Sequence, residues 1–152
     1  MNKIVELYGL NLKTFTEQDV LDYCQINNIN SNNITELYLN NNELTDISGV
    51  KLFKNLEVLR LDHNQLINIS DIKDLNNLEF LCISDNFIKD ISVIKNLKNL
   101  KELNIQGLEL KSDQIQYIKS LKKLKELWCR NGFKDKSVLK QLNKSIKIRF
   151  LE

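Results

Sequence analysis

Three consecutive stretches, ITELYLNNNELTDISGVKLFKN (34–55), LEVLRLDHNQLINISDIKDLNN (56–77) and LEFLCISDNFIKDISVIKNLKN (78–99), align position by position with a period of 22 residues. Each opens with an L-x-L alternation. That pattern predicts a short strand with Leu37 and Leu39, Leu59 and Leu61, and Leu81 and Ile83 pointing inward. The later apolar positions fall every third residue, as in Leu44, Ile47, Val50, Phe53 and Leu56. Spacing of three suits 3₁₀ turns better than a long helix. One such unit cannot bury its apolar side alone, so neighbouring units must stack.

Asn42, Asn64 and Asn86 recur at one position just after each strand. A carboxamide both donates and accepts, so a stacked row of them can satisfy backbone groups buried at a corner. These three read as structural.

Together these residues resemble the 22-residue class of leucine-rich repeats, as found in the nuclear regulatory subunit of protein phosphatase 1 and in bacterial internalins. The likeness runs from Ile34 to Leu100. It implies an α/β leucine-rich repeat solenoid: a curved right-handed coil with a parallel concave sheet, and 3₁₀ or irregular turns and short helices on the convex side.

The flanks depart from the strict pattern. Leu103-Asn104-Ile105 reads as a strand, but Leu108 replaces the ladder asparagine, and 24 residues separate Leu103 from Leu127. Ser112 is the expected N-cap of a helix carrying Ile115, Ile118, Leu121 and Leu124. Leu127-Trp128-Cys129 is a further strand. At the other end, GLNLKTFTEQDVL from Gly9 parallels GLELKSDQI from Gly107. Val5-Glu6-Leu7 is then an opening strand, and Thr16 caps a helix through Glu17, Val20, Leu21 and Cys24. The alternation of 145–151 predicts a last edge strand, with Lys147 and Arg149 discouraging edge pairing. The expected organisation is one domain over 1–152 with about seven strands. It comprises a helix-bearing capping repeat (1–33), three regular repeats (34–100), a longer helix-bearing repeat (101–126) and a C-terminal repeat and cap (127–152).

Residues between the inward leucines line the concave face. Tyr38, Arg60, Val58, Phe80 and Cys82 are expected to form one binding patch, and Trp128 with Arg130 a second, with Asn104 between them. The fold does not require large apolar groups there, and aromatic and arginine side chains are enriched at interface hot spots. The competing reading tucks Val58 and Phe80 under a terminal cap and packs Trp128 against the segment around Phe133.

Composition narrows the function classes. Apolar residues make up 42% and charged residues 28%, ordinary for a globular protein. No apolar run approaches a membrane span, and the N-terminus lacks the unbroken apolar stretch of a signal peptide. The expected location is therefore cytoplasmic. Cys24, Cys82 and Cys129 are odd in number and widely spaced, which favours reduced thiols over disulfides or a zinc site. Net charge is +2 overall. Residues 1–76 carry 6 Lys/Arg against 11 Asp/Glu, and residues 77–152 carry 16 against 9. The chain is acidic first and basic last.

Catalysis finds no motif: there is no G-x-S-x-G, P-loop or H-E-x-x-H. The single histidine, His63, lies beside Asp62 and one strand from Asp85, where solvated polar residues are expected in any case. No catalytic residue, metal or cofactor is assigned. The expectation is a monomeric, non-enzymatic module that binds a partner protein on its concave face. One alternative, implied by the resemblance, is a regulatory subunit or inhibitor of an enzyme such as a phosphatase. The other is nucleic-acid or anionic-membrane binding through the basic C-terminal half.

Overall fold

The computed structural model describes residues 3–150. Met1, Asn2, Leu151 and Glu152, which close the first and last expected units, lie outside the described residues. Seven strands form one parallel sheet in sequence order: β1 (Lys3–Glu6), β2 (Ile34–Tyr38), β3 (Val58–Arg60), β4 (Phe80–Cys82), β5 (Glu102–Asn104), β6 (Glu126–Trp128) and β7 (Lys147–Arg149). The register sets Leu37, Leu59, Leu81, Leu103, Leu127 and Ile148 side by side. The inward leucines therefore stack directly over their equivalents in the next repeat. This is the stacked parallel-sheet architecture that the resemblance implies.

The core runs the length of the sheet. Leu37, Leu39, Leu59, Leu61, Leu81 and Ile83 are fully buried. Opposite them lie 3₁₀ turns at Ser48–Leu52, Ser70–Ile72 and Ser92–Asn96. The three-residue apolar spacing appears directly in the backbone: Val50 donates to Ile47, Phe53 to Val50 and Leu56 to Phe53 at 3.0–3.2 Å. With three residues per turn, every third side chain lies on one inward stripe. Each fully buried apolar side chain contributes roughly 1.5–3 kcal/mol relative to exposure.

The first helix, α1 (Glu17–Ile26), starts at Thr16 as expected. Thr16 and Asp19 form a capping box, with the Thr16 N–H donating to Asp19 Oδ2 at 2.6 Å. The expected inward stripe is only partly realised. Val20 is buried and Cys24 partly so, but Leu21 is 55% exposed. At about 100° per residue, Leu21 is carried away from the face shared by Val20 and Cys24. The helix start is held against the first regular repeat by Gly49, whose N–H donates to Phe15 O at 2.8 Å.

The second helix corrects an expectation. Ser112 does not cap it; Ser112–Gln114 is itself a 3₁₀ turn without a side-chain cap bond. Only Ile115–Lys119 is α-helical (α2). Ile115, Ile118, Leu121 and Leu124 are buried as foreseen. Their spacing of three, however, returns the chain to i→i+3 bonding, with Leu121 donating to Ile118 and Leu124 to Leu121.

Candidate interaction surface

Each strand ends in a turn that the sequence marks only faintly. The residue four positions after the inward leucine or valine has a left-handed backbone in six repeats: Gly9, Asn41, His63, Asp85, Gly107 and Asn131, with φ between 51° and 72°. This explains why glycine and asparagine recur there, and it places His63 and Asp85 at backbone corners. His63 Nε2 stands 3.7 Å from Asp85 Oδ2, both well exposed. Asp62 is buried and turned to Arg60, whose Nε is 3.4 Å from Asp62 Oδ1. His63, Asp62 and Asp85 thus do not converge on one point.

One position later, the ladder asparagines close the corner. Asn64 Nδ2 donates to Leu39 O (3.0 Å) and Leu61 O (2.9 Å), and its Oδ1 accepts from Leu44 N (3.0 Å). Asn86 repeats the arrangement with Leu61, Ile83 and Leu66. Asn42 reaches back to Leu7 O and to the N–H groups of Leu10 and Leu12. Where leucine replaces the asparagine, at Leu10 and Leu108, the next residue (Asn11 or Glu109) takes a second left-handed conformation.

The concave face carries the other candidates. Tyr38, Val58, Phe80 and Trp128 are all half-buried, and Arg130 is exposed. Asn104 is engaged locally, its Oδ1 accepting from Gln106 N at 3.0 Å. Cys82 departs from expectation. It lies on this face, yet it is only 1% exposed and offers a partner no contact area. Burial, reinforced by the charge of Asp62, pushes its thiol pKa up to about 11. Asp62 and Ser84, in the adjacent row, are also buried, so the middle of the face is its deepest part.

The two expected patches are one. The Trp128 indole leans across β5 toward Phe80, with ring centroids 6.4 Å apart and planes tilted by 59°. Phe133 is instead in the core, where its backbone bridges Leu110. Beside the aromatic pair is a hollow of about 430 Å³ lined by Tyr38, Glu57, Val58, Arg60, Glu79, Phe80, Lys101 and Glu102. Tyr38 is fixed at its edge, its hydroxyl donating to Glu36 Oε2 at 2.6 Å. That bond, together with burial, raises the Tyr38 pKa.

Sequence reasoning missed the charged rim. Simple alternation directs Glu57, Glu79 and Lys101 inward, because each stands two positions before an inward leucine. Sheet bonding extends one residue ahead of the strands, however: Glu57 donates to Thr35, Glu79 to Glu57 and Lys101 to Glu79, each at 2.8 Å. Leu56, Leu78 and Leu100 already fill the core at the preceding position, so the next side chain turns out to the rim. Lys101 Nζ pairs with Glu79 Oε2 at 2.6 Å. Two strands further on, Arg149 pairs with Glu126 at 3.2 Å.

The family model described as "Leucine Rich repeats (2 copies)" matches residues 32–77 and 76–112, more than half of the chain. Among solved structures, the internalin inlF of Listeria monocytogenes superposes with a TM-score of 0.68 at 29% identity, covering 79% of this chain and 36% of that one. A leucine-rich repeat protein of Leptospira interrogans gives 0.67 at 22% identity, over 93% of this chain and 41% of that one. The internalin C2 of Listeria monocytogenes gives 0.55 at 21% identity, over 96% and 79%. The last two likenesses concern the fold alone. The chain spans about two-fifths or less of the length of the first two. No curated protein sequence matches it. No helix among the described residues is long and apolar enough to cross a membrane.

Proposed function

The chain belongs to the leucine-rich repeat family, whose domains generally bind protein partners, and from that premise we propose that it is a non-enzymatic interaction module docking a partner protein on its concave face. One observation carries this reading. Tyr38, Val58, Phe80 and Trp128 leave apolar surface open on the solvent side of a sheet whose core is already complete on the other side. Aromatic anchors at the centre of a face, ringed by polar groups, form the arrangement in which a few residues carry most of the binding energy. Seven strands about 4.8 Å apart span roughly 29 Å, enough for an interface of about 800 Å² per partner.

The deciding experiment is affinity capture from native cells with the full chain and with a Phe80→Ala/Trp128→Ala variant. The expected result is loss of the captured partner from a variant that still unfolds cooperatively, with its melting temperature lowered by only a few degrees. Intact capture by the variant would show that the partner docks elsewhere.

A further inference from the structure

We propose that the partner presents a basic segment, with an arginine or lysine side chain seated in the hollow beside Phe80, its stem on Val58 and Phe80 and its charged head at Glu57 and Glu102. This rests on the reading of the concave face as the docking surface, and it specifies the chemistry of what docks.

Charge placement carries the argument. The chain as a whole is net positive at +2, yet among the described residues the face and rim of β2–β5 hold Glu36, Glu57, Asp62, Glu79 and Glu102 against Arg60 and Lys101. Both cations are already engaged, Arg60 with Asp62 at 3.4 Å and Lys101 with Glu79 at 2.6 Å. Glu36 holds the Tyr38 hydroxyl. Among the described residues, Glu57 and Glu102 have no ion-pair partner, and both line the hollow. The floor between them is apolar, formed by Val58, Phe80 and the Tyr38 ring. A long cationic side chain satisfies both features, because its methylenes cover apolar surface while its head stays at the polar rim. The Phe80 ring adds attraction for a cation placed over its face. An acidic or purely apolar segment would leave two carboxylates desolvated without compensation.

The test is a random dodecamer peptide library displayed on phage and selected on the full chain, with the Phe80→Ala/Trp128→Ala variant as counter-selection. Affinities of enriched peptides for the chain and for each variant are then measured by isothermal titration calorimetry. Enriched peptides should carry Arg or Lys next to apolar residues. Glu57→Gln/Glu102→Gln should weaken them by about tenfold at low salt and by less at high salt. Glu57→Lys/Glu102→Lys should redirect selection toward acidic peptides. Enrichment of neutral or acidic peptides that still need Phe80 and Trp128, or binding indifferent to the glutamine changes, overturns the basic-segment proposal and leaves concave docking standing. Peptides bound equally by the Phe80→Ala/Trp128→Ala variant, or no enrichment at all, overturn the docking surface and this inference with it.

Discussion

The side-chain amide of Asn64 joins two repeats through the carbonyl of Leu39, 3.0 Å away and 25 residues earlier in the chain. The same side chain holds Leu61 O and Leu44 N. Removing it leaves the buried Leu44 N–H without a partner, at about 1–3 kcal/mol, while Leu39 O and Leu61 O each lose one of two donors and keep those from Asn42 and Asn86. Asn64→Ala should therefore destabilise the fold by roughly 2 kcal/mol, measured by chemical denaturation. Asn55→Ala removes an exposed bond to Asn32 O and should stay within about 0.5 kcal/mol. Equal effects would contradict the corner-closing role.

Gly49 and Gly9 make a second contrast. A Cβ on Gly49 would stand 2.7 Å from Val20 Cγ2 and 2.8 Å from Phe15 O, with Thr16 O closer still. Backbone cannot yield there without moving α1 off the repeat. Gly49→Ala should cost about 2 kcal/mol or more. Gly9 has φ +67° but nothing within 4 Å of the added carbon. Gly9→Ala should cost only the left-handed penalty, about 1 kcal/mol. Thermal melts of the two variants decide the ordering.

The thiols should respond to pH in a defined direction. Burial pushes Cys82 and Cys129 to about 11 and raises Cys24 as well. A thiol whose pKa is higher folded than unfolded favours the folded state below the unfolded value of about 9, and that contribution is lost as pH rises toward 11. The melting temperature should fall across pH 9–11, and Cys82→Ala should flatten part of that fall. At neutral pH a thiol reagent should modify the partly exposed Cys24 ahead of Cys82 and Cys129, and all three in denaturant.

The contact between Trp128 and Phe80 should be visible spectroscopically. Phe80→Ala opens one side of the indole to water, so the emission should shift to the red. An aromatic pair of this kind contributes about 0.5–1.5 kcal/mol beyond area burial, so the stability of the variant should fall by at least about that much. An unshifted spectrum would place Trp128 away from Phe80 in solution.

Much of the architecture was legible because a period of 22 residues constrains every position at once. The inward leucines, the three-residue turns and the asparagine ladder are all repeated local rules. Cys82, by contrast, occupies a position that the repeat assigns to the surface, yet it is covered. Its neighbours include Ser84 in the same repeat and Asp62 on the adjacent one, 20 residues earlier in sequence. The charged rim of Glu57, Glu79 and Lys101 was hidden for a related reason. Alternation holds within a strand, but these residues sit where the chain turns out of the core.

The sequence by itself determined the stacking of repeats, because apolar residues at fixed spacing have one arrangement that buries them all. It also determined the corner chemistry at Asn42, Asn64 and Asn86, because a side chain that both donates and accepts satisfies the buried backbone groups there. Tertiary structure alone decided that Trp128 meets Phe80 across an intervening strand, and that Glu57 and Glu102 share a hollow whose two cations pair with other carboxylates. Those relationships depend on sheet register and on side-chain lean between repeats, and neither is encoded in the period of any single repeat.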